Sequence, residues 1–234
     1  MEKQKIEIFT FEKYTLAKII TGVFKENCYI VVDRESSDAI IFDPGEDDDL
    51  IFSQVQELDC NVKCILLTHG HFDHVGKVAS LIRKYNVGAF VHKNDQRLMR
   101  QAPLYAIRYI NKVVEAPLPF GVFENETSLT FGSITVNIFR TPGHTSGGVS
   151  FQIDRIVITG DTLFKEHIGP TNYPESNLND LLESVDSLLS NLDENATIYP
   201  GHGREWSVKN AKVWWNAKSV NKPQYQIMND PTLK

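Results

Sequence analysis

Cysteine is scarce in this chain: Cys28, Cys60 and Cys64 are the whole supply. An odd count with no matching second pair supports neither a disulfide framework nor a four-cysteine metal site, so all three read as reduced, packed side chains. Long apolar runs are also missing. Nothing approaches the roughly 20 consecutive apolar residues of a membrane helix. The polar start, Met1-Glu2-Lys3-Gln4-Lys5, has no leader-like apolar stretch behind it. The expectation is a cytoplasmic protein with no membrane partner. Positive charge is not in excess either: 24 Lys and Arg against 30 Asp and Glu give a formal net charge of −6. A duplex binder needs a basic face to displace counterions, so no nucleic-acid partner is expected. Repeats, low-complexity tracts and Pro/Gly-rich linkers are absent too, which points to a single domain over 1–234 with a loosely held tail over 221–234.

What is present is ordinary globular composition, 41% hydrophobic and 23% charged. Short apolar or alternating runs predict strands over 7–11, 16–20, 27–32, 39–42, 63–67, 87–92, 133–140, 149–153, 155–159 and 197–199. The polar turn 33–38 predicts a hairpin. Apolar spacings of three and four predict helices over 50–58, 75–85, 95–109, 176–189 and 208–217, with Ser176 or Asn177 as a cap for the fourth. Strands and helices interleave throughout, so the class is α/β or α+β around one core.

The histidines carry the chemistry. Three of seven fall inside His69-Gly70-His71-Phe72-Asp73-His74. A helix would set His69 and His71 about 200° apart, whereas in a loop or strand end residues two apart face the same way. The spacing therefore favours His69 and His71 on one ion, with Asp73 and His74 on a second. Three further candidates end apolar strands: Pro142-Gly143-His144, Gly160-Asp161 and Pro200-Gly201-His202. Strand ends on one sheet edge converge, and α/β folds build sites there. A fifth strand ends in Asp43-Pro44-Gly45, where Asp43 is either a carboxylate holding a ligand from behind or a turn former. Imidazole with carboxylate suits zinc first, then iron or manganese. Two dications about 3.5–4 Å apart need a bridging anion. Asp161 is the natural carboxylate for that position and a hydroxide the other bridge. Water on such ions ionises near pH 7, giving a nucleophile without serine or cysteine. His92 reads as an ordinary strand end, and His167 as a loop residue near the site that is a candidate substrate contact.

At these residues the chain resembles the metallo-β-lactamase superfamily. Thr68-His69-Gly70-His71-Phe72-Asp73-His74-Val75-Gly76 is similar to its signature loop. Thr141 to Thr145, Gly160 to Phe164 and Tyr199 to Gly203 are similar to its other blocks, in the family's order. The resemblance implies a four-layer αββα sandwich with two divalent ions at one edge of the sheets. Within the superfamily the blocks most resemble glyoxalase II, the hydroxyacylglutathione hydrolases. That implies His69, His71 and His144 on the first metal, Asp73, His74 and His202 on the second, and Asp161 shared. Asp73 and Asp161 are the carboxylates it places in the catalytic centre. A bridging hydroxide would attack a thioester carbonyl, and the departing thiolate would be stabilised at the metals.

The chain also departs from that pattern. Glyoxalase II-like enzymes carry Gly-Arg-Thr-Asp after the Gly-Asp-Thr-Leu-Phe block, where this sequence has Gly169-Pro170-Thr171-Asn172. Arg204-Glu205-Trp206-Ser207 replaces a threonine-rich stretch, and the 32 residues after His202 are fewer than a glutathione-gripping helical domain needs. The expected substrate is therefore a small-molecule or carrier-bound acyl thioester, on glutathione, coenzyme A or the pantetheine arm of an acyl-carrier protein, with Lys165, Tyr173 and Arg204 joining His167 as candidate contacts. The segment 95–119, with Tyr105, Arg108 and Tyr109, is expected to lie over the site. Lactone hydrolysis, a persulfide dioxygenase and a non-catalytic scaffold are the alternatives. Gly203 and Pro170 speak against the dioxygenase, and the full ligand set speaks against the scaffold.

Overall fold

The computed structural model describes residues 5–118 and 120–219; Pro119 and the tail expected over 221–234 lie outside the described residues. Seven strands form one sheet in chain order: β1 (Ile6–Thr10), β2 (Tyr14–Thr21), β3 (Glu26–Asp33), β4 (Asp38–Phe42), β5 (Asn61–Leu66), β6 (Gly88–His92) and β7 (Gly121–Phe123). A second sheet holds β8 (Ser128–Phe131), β9 (Ile134–Arg140), β10 (Val149–Ile153) and β11 (Ile156–Gly160). The small hairpin β12 (Leu163–Phe164) and β13 (His167–Ile168) follows; β14 (Thr197–Pro200) and β15 (Trp206–Ser207) then complete the six-stranded second sheet. Among the described residues the α-helices are α1 (Asp48–Glu57), α2 (Phe72–Val75), α3 (Val78–Tyr85), α4 (Gln96–Ile110), α5 (Leu178–Asn191) and α6 (Val208–Ser219).

Period-two alternation assigns the layers. In β3, Ile30 and Val32 face the core shared with α1, α3 and α4, while Tyr29 and Val31 face the other sheet. In β5, Ile65 takes the helix side, and Cys64 and Leu66 take the inner side. In the second sheet Ile156 and Ile158 point inward, and Val157 points out against Leu181, Val185 and Val208 of α5 and α6. Strands buried on both faces read as continuous apolar runs, as 39–42 and 156–158 do. The outcome is the four-layer αββα sandwich. Each fully buried aliphatic side chain in these cores contributes about 1.5–3 kcal/mol relative to exposure.

The expected hairpin forms: Asp33 Oδ1 accepts the Glu35 and Ser36 N–H groups at 2.9 and 3.2 Å. The helix expected over 75–85 is instead two, α2 and α3. The chain between them is drawn onto the loop after β4, where Lys77 N–H donates to Pro44 O at 2.9 Å. A Cβ on Gly76 would stand 2.6 Å from Gly45 O, so only glycine permits that approach. The fourth predicted helix is capped by Asn177, whose Oδ1 accepts from the Asn179 and Asp180 N–H groups. No helix among the described residues is long and apolar enough to cross a membrane.

Two pairings place the site. β4 and β5 run parallel, as do β11 and β14, so their C-terminal ends emerge at a common edge. At that edge the sheets are stitched together: Asn27 Nδ2 and Tyr29 Oη both donate to Pro200 O, at 2.9 and 2.6 Å, and Asn27 N donates to Gly201 O at 2.7 Å. Leu66→Ala, in the core between the sheets, should cost about 2–5 kcal/mol in urea unfolding. Leu104→Ala, at a side chain 66% exposed on α4, should stay within about 0.5 kcal/mol.

Candidate metal centre

His69 lies three residues beyond the end of β5, and Asp73 and His74 lie in the one-turn helix α2 that begins after His71. His144 comes from the loop between β9 and β10, Asp161 from the end of β11, and His202 from the end of β14. Seven side chains scattered over the sequence thus meet at the stitched edge. His69, His71 and His144 bring ligand atoms within 4.8 Å of one another, and so do Asp73, His74 and His202. Asp161 lies between the two triads: Oδ1 is 3.4 Å from His74 Nε2, while Oδ2 is 3.5 Å from His144 Nε2 and 3.7 Å from His202 Nε2.

Hydrogen bonds behind the imidazoles decide which nitrogen points inward. A carbonyl only accepts, so His144 Nδ1–H donates to Pro170 O at 2.7 Å, and His202 Nδ1–H donates to Phe24 O at 3.1 Å. His74 Nδ1–H donates to Asp43 Oδ2 at 3.1 Å. Thr68 gives its one hydroxyl proton to Asp43 Oδ2 at 2.6 Å, so it accepts from His69 Nδ1–H at 3.0 Å. His71 Nε2–H donates to Glu175 Oε1 at 2.9 Å. In the neutral tautomers that these bonds select, every inner nitrogen presents a lone pair. With both outer nitrogens protonated, His71 Nδ1 and His144 Nε2 lie 2.9 Å apart, a separation that a shared proton or a metal cation bridges. His69 Nε2, His74 Nε2 and Asp161 Oδ1 are buried without a hydrogen-bond partner. An imidazole and carboxylate donor set of this kind fits divalent transition metals.

Electrostatics divide four imidazoles of the centre into two pairs. Burial pushes His69 and His144 down, His144 to about 4, and neighbouring imidazoles add to it. Burial opposes ionisation of Asp73, yet His74 and His202 outweigh it and bring the carboxyl to about 2. Asp161 is likewise held well below the usual range, against its burial, by His202 and His74. Burial disfavours charge on His74 and His202, but the two aspartates hold both above their ordinary value.

Asp43, left-handed at φ 49°, accepts from Thr68 N, Thr68 Oγ1 and His74 Nδ1. Its oxygens are committed to these donors, which hold two imidazoles from behind. Tyr173 lies at the centre, its ring 5.2 Å from His71 and 5.9 Å from His144. The His167 ring lies tilted against Phe164 at 4.8 Å, and Phe164 in turn stands 6.1 Å from His202. Lys165 is exposed in the turn between β12 and β13, and Arg204 is exposed two residues beyond His202. Neither side chain makes an ion pair among the described residues. Tyr109 of α4 stacks on Phe72 at 6.0 Å, beside the ligand loop.

Sequence reasoning missed Asp95. An aspartate ahead of a helix reads as a cap, yet this one makes no side-chain cap bond. Its carboxylate accepts from Gly70 N at 2.9 Å, Thr145 Oγ1 at 2.8 Å and Gly147 N at 2.8 Å, clasping the loops that carry His69, His71 and His144. Burial raises its carboxyl above the ordinary value despite those bonds. Asp95→Asn turns an amide N–H₂ toward donors and should lower zinc affinity about 10–100-fold by chelator competition; unchanged affinity would leave Asp95 a packing residue only.

Comparison with known proteins adds to this geometry. Residues 21–202 match the metallo-beta-lactamase superfamily. The hydroxyacylglutathione hydrolase GloC of Haemophilus influenzae is 33% identical over 203 residues, covering 84% of this chain and 95% of that protein. The crystal structure of BLEG-1, a B3 metallo-beta-lactamase, superposes with a TM-score of 0.79 at 28% identity, over 85% of this chain and 96% of its own. TTHA1623 in a di-iron-bound form gives 0.73 at 30% identity, over 82% and 94%.

Proposed function

The chain belongs to the metallo-β-lactamase superfamily of metal-dependent hydrolases, and on that premise we propose that it cleaves an acyl thioester at a two-metal centre. His69, His71 and His144 would hold one ion, and Asp73, His74 and His202 would hold the other, with Asp161 shared between them. The observation that carries this reading is the convergence of five imidazoles, each anchored from behind at its outer nitrogen, on the carboxylates of Asp73 and Asp161. Zinc is the first choice of metal, with iron or manganese as substitutes. When bound, such ions supply a nucleophilic water near neutral pH and a Lewis acid for the carbonyl oxygen.

No side-chain thiol competes for the nucleophile's role. Cys28 and Cys64 are buried in the cores, and burial raises all three thiols, Cys60 to about 11. Tyr173 is pushed up to about 12 by burial, with Asp73 and Asp161 adding to it, so it stays protonated and donates to an acyl or carrier oxygen. Tyr173, which holds no ion in this reading, is thus not an acid poised near pH 7. That suits a leaving group that departs without a proton, and a thiolate, with a parent pKa of about 8.5, is one. The likeness to a hydroxyacylglutathione hydrolase supports the same bond. Pro170 and Asn172, where glyoxalase II-like enzymes carry Arg and Asp, favour a carrier other than glutathione: coenzyme A or the pantetheine arm of an acyl-carrier protein. His167, Lys165 and Arg204 border the His202 side as contacts for that carrier, and the cytoplasm is the compartment where it is met.

The test is thiol release from S-lactoylglutathione, acyl-coenzyme A and acyl-pantetheine, with metal-stripped and metal-loaded protein. Release only from loaded protein is expected, fastest on a pantetheine carrier. Loaded protein inert on the whole panel would overturn the thioesterase reading and turn attention to lactones. Asp161→Asn should lose metal affinity and hydrolysis together, by more than the roughly 10–100-fold typical of supporting residues. Two bound ions with full activity in that variant would remove Asp161 from its bridging place.

A further inference from the structure

His71 differs from the other four imidazoles of the centre. His69, His74, His144 and His202 turn Nε2 inward and anchor Nδ1 to a carbonyl, a carboxylate or a neighbouring hydroxyl. His71 turns Nδ1 inward, toward His144 Nε2. Its outer nitrogen is therefore Nε2, the ring atom farthest from its own backbone. An anchor for that atom has to come from a different segment on a long side chain.

The segment 170–177 supplies it, the stretch that departs from Gly-Arg-Thr-Asp. It is tied down around His144: Pro170 O accepts from His144 Nδ1, Ser176 Oγ donates to His144 O at 2.7 Å, and Asn177 N donates to Gly143 O at 2.7 Å. From this strap Glu175 sets Oε1 2.9 Å from His71 Nε2, with both side chains mostly buried, 17% and 15% exposed. Here a supporting carboxylate lies three residues beyond Asn172, on a longer side chain.

We infer that Glu175 is a positioning residue for His71, resting on the reading of His71 as a ligand. By accepting the Nε2–H bond it selects the tautomer whose Nδ1 lone pair faces the ion, fixes the ring plane, and raises the imidazole's donor strength. The effect is local to the triad of His69, His71 and His144, because Glu175 makes no hydrogen bond or ion pair with Asp73, His74 or His202 among the described residues. Glu175 thus sets the affinity of one of the two metal positions.

The experiment titrates metal-stripped protein with zinc and with cobalt(II), comparing wild type, Glu175→Ala, Glu175→Gln and, as a control on the exposed turn, Glu166→Ala. Two binding steps are resolved by calorimetry and by the cobalt absorption bands. Glu175→Ala should weaken one step about 10–100-fold and leave the other unchanged. Glu175→Gln, which retains an accepting oxygen, should lose less, and Glu166→Ala nothing. Imidazole ¹H–¹⁵N correlations of zinc-loaded protein should show His71 protonated at Nε2 in wild type and lose that sharp signal in Glu175→Ala. Equal weakening of both steps, or wild-type affinities and an unchanged His71 signal in Glu175→Ala, would overturn the proposal. A wild-type protein that binds no ion would remove the ligand reading of His71, whereas one that binds two but cleaves no thioester would leave Glu175's role standing.

Discussion

Five imidazoles and two carboxylates are directed at one small volume, and the protein around them is built to hold them there. Without an ion, the carboxylates draw protons toward His74 and His202, while burial strips charge from His69 and His144. Neutral and charged imidazoles then share one cluster, which only fixed backing bonds can keep in register. Those bonds come from outside the ligand set: Asp43 and Thr68 behind His69 and His74, Pro170 behind His144, Phe24 behind His202 and Glu175 behind His71. A buried polar network of this sort is stable when its outer atoms are satisfied, and here the outer nitrogen of every imidazole has an acceptor while His69 Nε2, His74 Nε2 and Asp161 Oδ1 are left free.

Glycine enters this arrangement by absence of bulk. A Cβ on Gly201 would fall 2.3 Å from Asp161 Oδ1 and 2.8 Å from His74 Cε1. The backbone ahead of His202 therefore passes against two other members of the centre, which a larger residue forbids. At Gly160 the left-handed backbone, φ 48°, turns the chain between β11 and Asp161, and a Cβ would meet the Thr68 hydroxyl at 2.2 Å.

The strands that end in ligands were legible because buried strands leave continuous apolar runs and their ends leave Gly-His or Gly-Asp pairs. The layer architecture followed from the motifs' resemblance, and alternation within 29–32 and 156–158 accounts for it physically. Short strands such as β7, β12, β13 and β15 were not legible, since two or three residues carry no period. The break between α2 and α3 was hidden for a different reason: helical spacing continues across Gly76, and only the distant Pro44 and Gly45 interrupt it. Asp95 and Glu175 escaped for a third. Their partners lie 25 to 52 and 104 residues away, and an aspartate before a helix or a glutamate in a loop has an ordinary local explanation.

The stitching of Asn27 and Tyr29 to Pro200 has a consequence for how the two sheets hold together. One triad draws on the loop after β5 and the loop between β9 and β10, and the other on α2 and the end of β14, so each triad spans both halves of the sandwich. Neither half alone presents either of these two triads. Any ion held at the centre is therefore a cross-brace between the N-terminal and C-terminal sheets. Its binding free energy adds directly to the free energy of docking one sheet on the other. Thermal stability becomes a function of free metal concentration, and the surface where the sheets meet is the one that loosens first when metal is scarce.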